Sequence, residues 1–338
     1  MIFKDVGQGD SILLKFNDEG TGYLNIGIID CNIKAGRNPI LDELRDIKEE
    51  YTVKFLILSH PHYDHISGAY DLLVYLKESK ITIEKISSSI NDWSVEYIAS
   101  TATNNEKKEL SRLLNLIELL ENDPITLVHP LMSNLNIFNI GSFKLRCLYP
   151  TKQNYRQFKN QHSHHINANG KKADPNDIAS IFSIECIDWY ILLTSDVYPK
   201  ALFDIERRFT FIREDELKLL QVPHHGSKNN HNIQFWKKRN YKANCPSVIS
   251  VGENSYNHPN INVVKEFKQE NFKIYSTNNV NGIKLYFSGT VSQKADPHLN
   301  FFFPQSKTTV SKISNKRFEG DKTFLVTIPG VKYIERTE

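Results

Sequence analysis

The run Val53 to Leu58 (VKFLIL) leads directly into Ser59-His60-Pro61-His62-Tyr63-Asp64-His65. An apolar run of this kind marks a strand buried on both faces. At its C-terminal end, His60, His62, Asp64 and His65 place four candidate metal ligands within six positions. Imidazole and carboxylate suit zinc, manganese or iron. Alternating His60 and His62 can face one ion, while adjacent Asp64 and His65 face another. Leu72, Leu73 and Leu76 then give helical spacing over Ser67 to Lys77.

Three later segments repeat the pattern of polar chemistry at a strand end. Leu192-Leu193-Thr194-Ser195-Asp196 ends an apolar strand in a lone carboxylate that can bridge two cations. A strand-ending aspartate is also a common turn former, so Asp196 gains its ligand reading from the first motif. In Val222-Pro223-His224-His225-Gly226-Ser227, one histidine can ligate metal while the other hydrogen-bonds an anionic oxygen. In the loop Gly252 to Asn260 (GENSYNHPN), His258 is either a proton donor to a leaving group or a turn residue.

Around these motifs the chain alternates strands and helices, which predicts an α/β sandwich with ligands gathered where loops leave strand ends. Strands are expected at 2–6, 11–16, 23–30, 178–187, 189–194, 217–222, 246–251, 272–276 and 283–287, with a hairpin over 135–149. Asn105 to Asn122 reads as an amphipathic helix within an inserted helical cap spanning about residues 87–133. Residues 151–177 read as a long polar loop, and 291–338 as a less regular C-terminal extension with strand-like patches at Leu299 to Phe303 and Phe324 to Ile328.

Totals exclude little. With 42 basic and 39 acidic residues among 338, the formal charge of +3 neither demands nor excludes a nucleic-acid partner. Cys31, Cys147, Cys186 and Cys245 are too dispersed for a disulfide framework or a zinc ribbon, and read as buried thiols. No segment has the length and apolarity of a membrane span, and MIFKDVGQGDS lacks the features of a signal peptide. The expected location is the cytoplasm, with no membrane partner.

Taken in order, these motifs resemble the metallo-β-lactamase superfamily. Asp5 to Leu14 (DVGQGDSILL), His224 to Ser227 (HHGS) and Ser250 to Pro259 (SVGENSYNHP) are most similar to the branch found in ComEC-type DNA-uptake channels. The likeness covers about residues 1–290 and implies a four-layer αββα sandwich. It also implies two divalent metal ions, zinc first and manganese second. His60 and His62 would hold one ion, Asp64 and His65 the second, and Asp196 would bridge them. His225 would complete the second site while His224 faces the substrate, or the reverse. Asp10 would orient the metal-loop histidines from behind. The family's histidine ahead of the bridging aspartate is missing. Asn176, Asp177 and Ser180 occupy its region, and His162, His164 or His165 are either substitutes or solvated loop residues. Ser195 stands where a glycine is usual.

The expected activity is metal-dependent hydrolysis of a phosphodiester, with DNA or RNA cut by a two-metal-activated hydroxide. Asp64, His224 and His258 are the expected catalytic residues. Lys152, Arg156, Lys159, Lys171 and Lys172 either meet a phosphate backbone or are merely solvated. A small phosphoester or thioester hydrolase is a second reading. A metal-stabilised interaction module of a larger, defence-type complex, docking through 291–338, is a third.

Overall fold

Among the described residues (1–18, 20–89, 104–123, 125–163, 174–289 and 317–335), the computed structural model forms two sheets packed face to face. The strands are β1 (Ile2–Phe3), β2 (Ile12–Asn17), β3 (Leu24–Ile29), β4 (Tyr51–Leu58), β5 (Lys85–Ser88), β6 (Leu127–Pro130), β7 (Asn136–Ile140) and β8 (Phe143–Tyr149). They continue as β9 (Ile181–Cys186), β10 (Trp189–Leu193), β11 (Glu216–Gln221), β12 (Pro246–Ile249), β13 (Lys273–Ser276), β14 (Lys322–Thr327) and β15 (Gly330–Ile334). One sheet runs β15-β14-β1-β2-β3-β4-β5-β6, the other β13-β12-β11-β10-β9-β8-β7. The helices are α1 (Pro39–Asp46), α2 (Tyr63–Ile66), α3 (Ala69–Glu78), α4 (Asn104–Glu121) and α5 (Lys152–Ser163). After them come α6 (Pro199–Arg208), α7 (Phe211–Glu214), α8 (Ile233–Lys237), α9 (Ile261–Gln269) and α10 (Asn281–Gly289).

The four-layer αββα sandwich follows from how strand side chains alternate. In β4, Phe55 and Ile57 enter the core between the sheets, while Leu56 and Leu58 face the helices outside. In β10, Ile191 and Leu193 point inward, while Tyr190 and Leu192 meet the other helical layer. Leu41, Leu44, Leu72 and Leu76 cover one outer face, and Leu202, Ile205, Trp236 and Phe267 cover the other. Each such fully buried side chain contributes about 1.5–3 kcal/mol of transfer free energy.

The parallel strands of both sheets end on one rim. β3 and β4 deliver Asp30 and the His60–His65 loop there. β10, β11 and β12 deliver Asp196, the His224-His225 pair and the loop carrying His258. Chemistry therefore collects at carboxyl ends of strands, as is general in α/β sheets.

Several expectations change. Within 87–133, where an inserted cap was expected, α4 packs on α3 and links two parallel neighbours, β5 and β6. It is a crossover helix of the first sheet, and residues 90–103 lie outside the described residues. The expected loop 151–177 begins as helix α5, which buries Tyr155 and Phe158 against Ile178. One apolar pair three residues apart in a polar stretch is too thin a stripe to betray a helix. The side chain of His162, together with His164, His165, Lys171 and Lys172, lies outside the described residues. The expected strand at 283–287 is part of helix α10, packed on α9. So short an apolar run does not distinguish the two.

The patch at Leu299 to Phe303 lies outside the described residues. The described part of the C-terminal extension is built into the first sheet rather than projecting as an arm. β14 pairs antiparallel with β1, and the Met1 ammonium donates to the Phe324 carbonyl at 3.0 Å. Trp189 Nε1 donates to the Ile328 carbonyl at 2.7 Å, fastening the β14–β15 hairpin to the second sheet. No helix among the described residues is long and apolar enough to cross a membrane.

Candidate metal centre

Two groups of ligand-type atoms meet at this rim, each within 4.8 Å. One comprises Asp10, His65, Asp196 and His225; the other comprises His60, His62 and Asp196. Asp196 belongs to both. His60 Nε2 and His62 Nδ1 are 3.1 Å apart. His65 Nε2 and His225 Nε2 lie 3.5 and 3.6 Å from Asp196 Oδ1. Two ligand atoms about 2 Å from one tetrahedral ion sit about 3.3 Å apart, so these separations fit. His65 Nε2, His225 Nε2, Asp196 Oδ1 and Asp10 Oδ1 are all buried without a hydrogen-bond partner. Unpaired buried polar atoms are costly, and a cation would satisfy four of them together.

The backbone around the site is bent to present these groups. Asp30, Ser195, His224 and His225 have φ of 59°, 46°, 47° and 54°, left-handed values costly for residues with a Cβ. Ser195, at the position where glycine was expected, retains this conformation. Its Oγ lies 2.8 Å from Ser59 Oγ and 3.3 Å from His60 Nδ1, giving the His60 ring a polar partner behind it.

The two neighbouring histidines separate by geometry. His225 Nδ1 donates to the Ser250 carbonyl at 2.7 Å, which leaves Nε2 turned to the carboxylates as an acceptor. His225 joins the ligand group, while the more exposed His224 places Nε2 3.3 Å from Asp196 Oδ2. Asp64 stands outside both groups. Its Oδ2 is 3.4 Å from His225 Nε2, and its side chain is 34% exposed. His258 stacks edge-on to His224 at 5.2 Å between ring centroids.

Asp10 does not orient the metal-loop histidines as expected. Its Oδ2 is 3.9 Å from His65 Nδ1 and instead accepts from Gln221 Nε2 at 2.8 Å. Asp30, not singled out from the sequence, takes the orienting position. It accepts from His65 Nδ1 at 2.8 Å, from Ser59 N at 2.7 Å and from Ser59 Oγ at 2.7 Å. The signal was present: Ile28-Ile29-Asp30 ends a buried strand in a carboxylate, as the segment before Asp196 does.

Crowding of like groups sets the electrostatics. Burial opposes charge on His65, but Asp196, Asp30 and Asp64 outweigh it and raise its pKa well above the usual value. Burial likewise opposes ionisation of Asp196, and His224, His225 and His65 overcome it, keeping the carboxylate ionised. Burial and the neighbouring His65 and His62 push His60 well down, so its ring is neutral and able to ligate. Burial, then His224 and His225, lower His258 to about 4.

No curated protein matches this chain. Residues 5–132 match the family model of the metallo-beta-lactamase superfamily. That stretch contains Asp10, Asp30 and the whole His60–His65 loop. Solved structures that resemble the chain include the metallo-beta-lactamase fold protein YhfI from Bacillus subtilis, 14% identical, covering 81% of this chain and 94% of that one, with TM-score 0.44. Zinc-bound PqqB from Methylobacterium extorquens is 9% identical, covering 80% and 85%, with TM-score 0.42. Tm1679, described as a metal-dependent hydrolase of the beta-lactamase superfamily, is 13% identical, covering 81% and 94%, with TM-score 0.42.

Proposed function

We propose that this chain is a metal-dependent phosphodiesterase whose substrate is nucleic acid. The observation that carries the reading is the sharing of Asp196 by the two ligand groups, in a rim where four buried atoms lack partners. His60 and His62 would hold one ion. His65, His225 and Asp10 would hold the other, with Asp64 beside them and Asp196 common to both. The mixed imidazole and carboxylate set suits zinc first and manganese second. Divalent ions held here would supply Lewis-acid polarisation of the ester and a nucleophile at neutral pH.

The remaining residues position and stabilise. Asp30 locks the His65 ring, and the Ser250 carbonyl locks His225. His224, partly exposed at the mouth, can donate to the oxygen that gains charge as the ester is cut. His258 fixes the His224 ring by edge-on contact, and so acts as a positioning residue.

Nucleic acid is favoured over a small ester by helix α5. Lys152, Arg156 and Lys159 occupy exposed positions four and three residues apart, so their cationic groups share one helical face. Such a face suits a run of phosphates. The DVGQGDS, HHGS and SVGENSYNHP segments support assignment to the ComEC-type branch.

The test is hydrolysis by the purified chain, with and without zinc or manganese. Single-stranded DNA, duplex DNA, RNA and bis-p-nitrophenyl phosphate are supplied in parallel, with Asp196→Ala as control. Polymer cleavage lost with chelator and in the variant is the expected result. Cleavage of the small diester alone overturns the nucleic-acid assignment, and no hydrolysis of any substrate by metal-loaded protein overturns the phosphodiesterase.

A further inference from the structure

Beside the metal centre, a cavity of about 120 Å³ lies between α5, the turn Pro175–Ile178 and the start of α6. Tyr149 and Phe158 give it aromatic walls, while Asn154, Gln157 and Asn176 give it amide edges. Lys200 stands exposed at its rim. Tyr198 ties the cavity to the metal centre. It follows Asp196 by two residues, and its hydroxyl donates to Asp174 Oδ2 at 2.7 Å.

The Tyr198 hydroxyl spends its proton on Asp174, so it has none to give the Asn176 amide that lines the same cavity. That leaves Asn176 Oδ1, in a residue only 4% exposed, without a partner. A ligand N–H would relieve the cost of that unpaired oxygen. Tyr149 is equally fixed, because its hydroxyl donates to the Asp177 carbonyl at 2.7 Å.

We infer that this cavity is a nucleobase subsite, receiving the base next to the phosphodiester held at the metal centre; the inference rests on the phosphodiesterase reading above. A nucleobase is a flat heteroaromatic ring whose edge carries both donors and acceptors. Aromatic walls stack such rings. The orphaned Asn176 oxygen takes an N–H, the Gln157 amide offers either polarity, and Lys200 can meet a flanking phosphate. Free phosphate suits the site poorly, because the acidic Asp177 and the Asn176 carbonyl line the same space.

The test is calorimetric titration of the full chain with AMP, GMP, CMP and UMP, and with ribose 5-phosphate and choline as ligands lacking a base. At least one nucleotide is expected to bind ten-fold or more tightly than ribose 5-phosphate. Gln157→Ala, on an exposed helical face, and Asn176→Ala should each erase that preference. Equal affinity for nucleotides and ribose 5-phosphate overturns the subsite, as does preferential binding of choline. Bis-p-nitrophenyl phosphate hydrolysis, measured alongside, separates the two readings. Hydrolysis without base preference sinks the subsite alone, while base preference without hydrolysis sinks the phosphodiesterase alone.

Discussion

His65 Nδ1 lies 2.8 Å from Asp30 Oδ2, and the opposite nitrogen of the same ring is buried without a partner. The carboxylate thus fixes both the tautomer and the direction of the free nitrogen. Partners of this kind typically account for ten- to a hundred-fold in metal affinity. Asp30→Ala should lower zinc affinity by about that factor, read by competition with a chromophoric chelator. Unchanged affinity would remove Asp30 from the account.

Gly252 brings the loop after β12 against the turn after β1. A Cβ there would meet the Gly7 carbonyl carbon at 2.3 Å and the Gln8 nitrogen at 2.4 Å, both immovable backbone. Ser250 Oγ donates to the Gly9 carbonyl in the same contact, at 2.7 Å. Gly252→Ala should therefore cost about 2 kcal/mol or more, the range of steric clashes in packed interiors. Urea unfolding checks this, and a midpoint equal to wild type would contradict the close approach.

Lys322 gives a pH dependence away from the metal centre. It is buried, its Nζ donates to the Glu319 and Gly320 carbonyls, and burial lowers its pKa from 10.5 to about 8 despite nearby Asp5, Asp321 and Glu319. Between those two values the unfolded chain binds the extra proton, so this residue's contribution to stability rises with pH across that window. Below about pH 8 its penalty is fully present. Relative to wild type, Lys322→Met should be most favourable near pH 7, and the difference should shrink towards pH 10. Denaturant titrations at those pH values read it out, and a pH-independent difference would refute the assignment.

How far the chain could be read from its residues depended on the range of the interactions. The strand before His60 and the alternation that builds both sheets are local patterns, and they appear as expected. The roles of His224 and His225 were not legible, because they turn on two left-handed φ values and on the Ser250 carbonyl 25 residues away. Pairing of β14 with β1 was equally hidden, since nothing near Phe324 announces a partner 323 positions earlier. Asp30 is marked locally as a carboxylate ending a buried strand, but its pairing with His65 is not, because the two lie 35 positions apart and meet only in the fold.

Metal should also stabilise the fold, because four buried atoms lack partners without it. Zinc at a hundred times its dissociation constant should add about 2.7 kcal/mol at one site. Thermal unfolding with and without zinc tests this, and a midpoint indifferent to metal would be inconsistent with a buried ligand set.

The most direct test of the central claim is metal stoichiometry by equilibrium dialysis followed by elemental analysis. Two zinc ions per chain are expected in the wild type, and at most one in Asp196→Ala, since that carboxylate is common to both ligand groups. A wild-type chain that retains no zinc, or an Asp196→Ala chain that still holds two, would contradict the shared two-metal centre.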